Sequence, residues 1–255
     1  TDNSVGLNHI ICQALFCLEG GAGNETGSGG LCPLGRVCGK RGARRCYAAG
    51  VMRNLMIGGT SPDEDLFRMV RERVSVPVRV LLRPRCGDFL YTESEFELLC
   101  RQVKRFAALG ADGIVIGVLT PEGDLDEERM AKLISLAGGC GVTLHRAFDV
   151  CRDPFAALET AKRLGVDTML TSGQQADCTA GADLLRALVA KAGEDMQILV
   201  GAGVNAAVIR ALQRKQARMP FIFPQSGWKT AECSSARKCA DGTARIERIQ
   251  SVAVR

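Results

Sequence analysis

Short aliphatic runs punctuate the middle of the chain: VPVRVLL (76–82), GIVIGVL (113–119), VTLHRAF (142–148), VDTMLTSG (166–173) and MQILVGAG (196–203). Each is followed by a stretch of helical character, and successive runs begin roughly 25 to 35 residues apart, the length of one β/α unit. The pattern predicts five parallel strands with helices between them. Three helix starts carry chemical marks. Thr92 with Glu95 and Ser61 with Glu64 have capping-box spacing, and Asp153 stands before Pro154 as a cap stands before a proline at the first helical position. Two strands are entered through the same punctuation, LGAD (109–112) and LGVD (164–167), in which a glycine ends a helix just before a strand.

Side chains on a strand alternate faces with period two. In VTLHRAF, Val142 and Leu144 share one face while Thr143 and His145 share the other; in VRVLLR (78–83), Val78, Val80 and Leu82 oppose Arg79, Leu81 and Arg83. Strict β/α alternation gives a parallel sheet, either closed as a (β/α)8 barrel or open and doubly wound. The open sheet has one argument, GAGVNA (201–206), which fits G-x-G-x-x-A between a strand and a helix. No acidic residue follows about 20 positions later to hold a ribose, so a dinucleotide site is poorly supported. In a barrel the wholly apolar faces pack outward onto helices. His145 and Arg83 then point inward.

Both sit late in their strands, where barrels gather ligand-binding and catalytic groups. Thr171, Ser172 and Gly173 finish the next strand, and Gly201 and Gly203 the one after. The resulting end is cationic. Arg83 and Arg85 can fork onto a carboxylate or phosphate, and Thr171, Ser172 and the glycine backbones can add hydroxyl and N–H donors. His145 is the candidate general acid or base, with Asp149 or Asp88 to orient it. The expected guest is a small anionic molecule; the competing reading is an internal polar network that merely closes the barrel top.

Composition narrows the classes. Apolar residues make up 46% and charged residues 24%, ordinary for a folded chain with a sizeable core. No apolar run reaches about 18 residues, so no membrane span is expected, and HIICQALFCL (9–18) lacks the basic lead-in of a secretory signal. An intracellular location is the expectation. The charge of +5 is mild, aromatics are only 5%, and the one basic cluster is GRVCGKRGARR (35–45), which argues against nucleic acid as a partner. Twelve cysteines without a single C-x-x-C pair read as reduced thiols, not as a disulfide framework, a zinc ribbon or a thioredoxin motif.

VPVRVLLRPRCGDFLY (76–91), GADGIVIGVLTPEGDLD (110–126), TLHRAFDVCRDPFAALE (143–159), LGVDTMLTSG (164–173) and GAGV (201–204) together resemble the CutC copper-homeostasis family, in order from about Gly59 to Leu212. The resemblance implies an α/β fold, a (β/α)8 TIM-type barrel over residues 1–255 as a single domain. It also implies a cytoplasmic protein, nuclear too in animals, with copper binding and homo-oligomerisation. The family's polar barrel mouth maps onto Arg83, Arg85, Asp88, His145, Arg146 and Asp149. An enzyme acting on a phosphorylated or carboxylated metabolite at that mouth is the alternative function. Cu(I) prefers thiolate and thioether ligands. Copper is therefore expected on sulfur and away from the arginines. Cys86 is the best-placed thiol, and Cys12, Cys17, Cys32, Cys38 and Cys46 lie in the amino-terminal segment ahead of the matched motifs.

Those departures are two. Residues 23–57, rich in Gly, Arg and Cys, replace the family's usual lead from EGG to TPS, and the acidic residue and cysteine of its first strand are missing. Near the end, TAECSSARK (230–238) resembles the family's final strand, but the preceding MPFIFPQSGWK is unfamiliar. Such breaks fit a shifted reading frame or a mistaken exon boundary. The barrel is expected to be imperfect at its first strand and near the C-terminus, with a risk of an open edge.

Overall fold

The structure, a computed structural model, describes residues 15–19, 46–204, 208 and 221–223. Its elements run β1 (Leu15–Glu19), β2 (Cys46–Val51), a 3-10 turn (Leu55–Ile57), α1 (Glu64–Arg71), β3 (Val78–Leu81), α2 (Glu93–Ala108), β4 (Gly113–Ile116), α3 (Glu127–Leu136), β5 (Gly141–Leu144), a second 3-10 turn (Arg146–Val150), α4 (Pro154–Arg163), β6 (Thr168–Thr171), α5 (Ala182–Ala192), β7 (Gln197–Val200) and β8 (Phe221–Phe223). The strands close into a barrel in sequence order. From β2 to β8 every neighbouring pair is parallel. The five aliphatic runs are β3 to β7.

The imperfection expected at the first strand takes a specific form. β1 pairs antiparallel with both β2 and β8, so the ring is closed by one inverted strand and no open edge is left between them. β2 falls inside the atypical segment 23–57, and β8 inside the unfamiliar MPFIFPQSGWK. The anticipated final strand at 230–238 lies outside the described residues.

Strand register explains the core. Val78, Val80, Leu82, Ile114, Ile116, Val142, Leu144, Met169, Ile198 and Val200 are buried in one apolar cluster with Leu66, Phe67, Phe96, Leu99, Val103, Met130, Leu133, Leu158, Leu185 and Leu188 of the helices. Removing a side chain of this size from water contributes about 1.5–3 kcal/mol. The opposite set faces the interior. Arg79 lies across the amino-terminal end of the barrel, donating to Thr143 Oγ1 at 2.6 Å and Asp167 Oδ1 at 2.8 Å. No described helix is long and apolar enough to cross a membrane.

The repeated punctuation is a repeated joint. Ala111 and Gly110 donate N–H bonds back to Phe106 and Ala107, while Val166 and Gly165 do the same to Ala161 and Lys162, which ends each helix in a Schellman motif. The aspartate that follows accepts an N–H at the start of the preceding strand: Asp112 from Val78 at 2.7 Å, Asp167 from Val142 at 2.5 Å. Each L-G-x-D therefore stops a helix and sets the register of two strands.

Of the three marked helix starts, two stand as read: Thr92 and Glu95 form a reciprocal capping box, and Asp153 caps α4 ahead of Pro154. The third is corrected. Asp63, not Ser61, caps α1 by accepting from Leu66 N–H. Ser61 is drawn to β3 instead, where its hydroxyl accepts the Arg83 N–H at 2.8 Å and donates to Gln102.

Candidate functional site

Arg83, two residues past β3, is only 5% exposed. Its guanidinium is held by backbone oxygens: Nη1 donates toward Gly59 at 3.2 Å, Gly58 at 3.3 Å and Ile57 at 3.5 Å, and Nη2 toward Gly87 at 2.7 Å. The GG of GGTSP makes this collar. Gly58 and Gly59 have φ of 86° and 84°, and a Cβ on Gly59 would lie 2.7 Å from both Leu81 and Met52 side chains. The guanidinium also stacks over the Phe89 ring at 4.9 Å. Among the described residues no carboxylate pairs with Arg83. Burial lowers its pKa from the ordinary arginine value, because desolvation disfavours the charged form.

His145 follows β5 directly and faces the same interior. Its ring lies 4.7 Å from Phe89 and packs so closely on Gly117 that a Cβ there would meet it at 2.5 Å. Nδ1 accepts the Ala147 N–H at 3.2 Å. That assigns the ring proton to Nε2. Burial, then the Arg83 charge, push the histidine pKa down to about 3, so the ring is neutral. Neither Asp149 nor Asp88 is hydrogen-bonded to it. The expected carboxylate partner is absent because the chain turns at Arg146 into a 3-10 segment, which swings Asp149 across to β6.

There Asp149, 4% exposed, accepts from Thr171 Oγ1 at 2.5 Å, Ser172 N–H at 3.0 Å, Gln174 N–H at 3.2 Å and Arg146 Nε at 2.7 Å. Arg146 also reaches Ser172 Oγ at 2.9 Å, and that hydroxyl donates to Gln175 O at 2.6 Å. Gly173 N–H is taken by Thr171 Oγ1 and Gly201 N–H by Thr171 O. Gly203 packs beside Asp177. The hydroxyl and N–H donors of Thr171, Ser172, Gly173 and Gly201 are thus engaged within the protein, as a closed network with Asp149 and Arg146.

Arg85 closes a second network. It bonds Asp88 Oδ1 at 2.8 Å and Glu95 Oε1 at 2.5 Å, and its guanidinium sits 5.4 Å from the Tyr91 ring. The hydrogen bond from Arg85 in turn holds the Glu95 carboxyl below its ordinary pKa. Of the arginines assigned to the mouth, Arg83 alone has no carboxylate among the described residues.

Three participants escape a reading based on strand ends. Phe89 and Tyr91 lie in the GDFLY loop, where their alternation is the available signal; Glu95 is legible only as a cap, yet also anchors Arg85. Tyr91 is 3% exposed, and its hydroxyl, Arg83 Nε and His145 Nε2 are buried without a hydrogen-bond partner among the described residues. A surface recess of about 530 Å³ lined by Glu64, Arg101, Lys104, Arg105, Ala108 and Leu109 lies on the helical shell between α1 and α2 and contains none of these groups.

Five cysteines are free thiols: Cys86 is exposed, Cys140 half-buried, and Cys100, Cys151 and Cys178 buried. Burial pushes Cys151 up to about 12 and Cys178 to about 11. Cys17 and Cys46 fall on β1 and β2, while Cys12, Cys32 and Cys38 lie outside the described residues. Among the described residues no group of three His, Cys, Asp or Glu side chains is placed to hold a metal ion.

Comparison with known proteins finds a match to the CutC family model over residues 40–218. A CutC family protein of Xanthomonas campestris pv. campestris (strain 8004) is 46% identical over 156 residues, covering 61% of this chain and 65% of the relative. One from Salmonella schwarzengrund is 44% identical over 149 residues, 58% of this chain and 60% of the relative. The chain thus aligns with just under two thirds of the length of these relatives. The crystal structure of CutC from Streptococcus agalactiae is similar in fold, with a TM-score of 0.63 and 26% identity, covering 66% of this chain and 84% of that one.

Proposed function

Because the chain belongs to the CutC family, we propose that it serves in copper homeostasis, and that its barrel end receives a small anionic metabolite while copper is carried on sulfur elsewhere. Copper homeostasis is the role in the name of the S. agalactiae relative. Intracellular location and homo-oligomerisation rest on the family resemblance alone and belong to the same proposal.

The observation that carries the anion reading is Arg83, a buried guanidinium without a carboxylate partner among the described residues. An unpaired buried charge costs several kcal/mol, and a bound anion offsets that cost. Cu(I) fits poorly in such company, since it is itself a cation and favours soft ligands. Cys86 is the exposed thiol among the described residues. If the barrel end is an enzyme site, His145 works there as a neutral hydrogen-bond donor that polarises the ligand, in the way a neutral imidazole serves as an electrophile, and not as a base.

The test is a paired titration with Cu(I) and inorganic phosphate. Arg83→Ala is expected to lose protection by millimolar phosphate against thermal unfolding and to keep Cu(I) binding. Alkylation of the cysteines should do the reverse. Equal phosphate protection of wild type and Arg83→Ala would overturn the anion site, and Cu(I) binding that survives full alkylation would overturn the sulfur site.

A further inference from the structure

We infer that Tyr91 and His145 join Arg83 as a trio of donors gripping the ligand, so that the barrel end selects an oxyanion presenting acceptor oxygens, a carboxylate or a phosphoryl group, over any amine or cation. The inference rests on the reading of this end as an anion receptor and specifies its chemistry.

Arg83 Nε, Tyr91 Oη and His145 Nε2 are buried polar atoms without partners among the described residues, on side chains 5%, 3% and 4% exposed. Buried polar groups are nearly always hydrogen-bonded, so each such orphan requires an explanation. These three belong to one locus. Phe89 neighbours both the guanidinium and the imidazole, with distances to its ring centroid of 4.9 and 4.7 Å. The Tyr91 hydroxyl lies close enough to the Arg83 guanidinium to act on it through charge and as an acceptor of a loose hydrogen bond, which leaves its O–H free to donate, and the Arg83 charge acts on His145.

Their polarity is uniform. Arg83 Nε is a donor only. His145 Nε2 must be a donor, because Nδ1 already accepts from Ala147, and the Tyr91 hydroxyl supplies the third donor, an O–H. A cation would meet repulsion here, and an amine would present its hydrogens to other donors. An oxyanion satisfies all three at once. Gly117 sets the geometry, since any side chain there would displace the imidazole.

The experiment is calorimetric titration of the full chain with inorganic phosphate and, separately, with malonate, together with the melting temperature of each ligand-free protein. Wild type is expected to bind one probe or both; the stronger probe identifies phosphoryl or carboxylate as the preferred group. Tyr91→Phe should weaken that binding roughly tenfold or more, the loss of one hydrogen bond to a charged acceptor. Its ligand-free melting temperature should be unchanged or higher, since a buried orphan hydroxyl has been removed. His145→Ala should lose affinity similarly, and His145→Gln, which returns an N–H near the Nε2 position, should restore most of it. If wild type binds neither probe, the anion-receptor reading itself fails. If wild type binds but Tyr91→Phe and His145→Ala bind equally well, Arg83 acts alone and the trio is overturned. A lower ligand-free melting temperature for Tyr91→Phe would show that the hydroxyl has an internal partner and would also overturn it.

Discussion

The Thr171 hydroxyl donates to the Asp149 carboxylate at 2.5 Å, tying the turn after β5 to the end of β6 across 22 residues of sequence. Thr171 Oγ1 simultaneously accepts the Gly173 N–H at 2.8 Å. One threonine thereby fixes both the carboxylate and the bend of the chain that follows it. The rigidity of this corner comes from Asp149 being surrounded by donors on every side, with no acceptor left over for a ligand to contest.

Asp149→Asn should therefore be strongly destabilising despite its near-identical shape. The amide nitrogen turns hydrogens toward Arg146 or toward the N–H groups of Ser172 and Gln174, and Arg146 loses its counter-ion. A loss on the order of 1–3 kcal/mol is expected, because the buried donors of Thr171, Ser172 and Gln174 lose an acceptor, read from the midpoint of urea unfolding. A loss under about 1 kcal/mol, typical of an exposed ion pair, would show that the network is solvated.

His145 should make stability depend on pH. Unfolded, it titrates near 6.5; folded, its pKa is pushed down to about 3. Between those values the unfolded chain holds more protons, so stability falls as pH drops below 6.5 and is regained as pH rises through it. The slope approaches about 1.4 kcal/mol per pH unit for one proton. Urea unfolding at pH 7, 6 and 5 should show a shallower loss for His145→Gln than for wild type. Parallel curves would mean that the folded imidazole accepts the proton after all.

Gly59→Ala should disturb Arg83 from a distance. Its methyl would lie 2.7 Å from Leu81 and Met52, at a φ of 84° that side chains avoid, so the backbone carrying the Gly58 and Gly59 oxygens must move. We expect a loss of about 1–3 kcal/mol in stability and a weaker response to phosphate. Unchanged phosphate protection in this variant would show that the carbonyl collar does not position the guanidinium.

Thiol labelling should rank the cysteines. Cys86 is exposed, whereas burial raises the Cys151 and Cys178 pKa values to about 12 and 11, and the thiolate is the reactive form. Brief iodoacetamide treatment at pH 7.5, mapped by peptide mass spectrometry, should modify Cys86 and spare Cys151 and Cys178 until urea is added. Early modification of Cys151 would indicate opening of the turn after β5.

The strands β3 to β7 were legible because each aliphatic run is local and its alternation alone separates the outer apolar set from the Arg79, Arg83 and His145 side. The run VTLHRAF misleads at one point: the strand stops at Leu144, and the 3-10 turn beyond it carries Asp149 away from His145. No local pattern marks that turn, since its stability comes from donors on β6. β1, β2 and β8 were hidden for a related reason. Each pairs with segments remote in sequence, Leu15 with Val51 and Cys17 with Phe223, and lies outside the repeat that betrays the others. Tyr91 lies in the GDFLY loop without a local mark of its role, because nothing in a sequence says where a buried hydroxyl points.

The inverted first strand divides the molecule into two poles. Leu15 pairs with Val51 and Glu19 with Cys46, so β1 enters at the pole of Arg83 and leaves at the opposite one, where β2 begins. Both anchor points of the intervening connection therefore lie on the side remote from Arg83. In a parallel barrel a connection must cross from one pole to the other; here it need not. Glu19 and Cys46 thus mark the pole away from Arg83 and His145, whereas Leu15 and Val51 stand together at theirs.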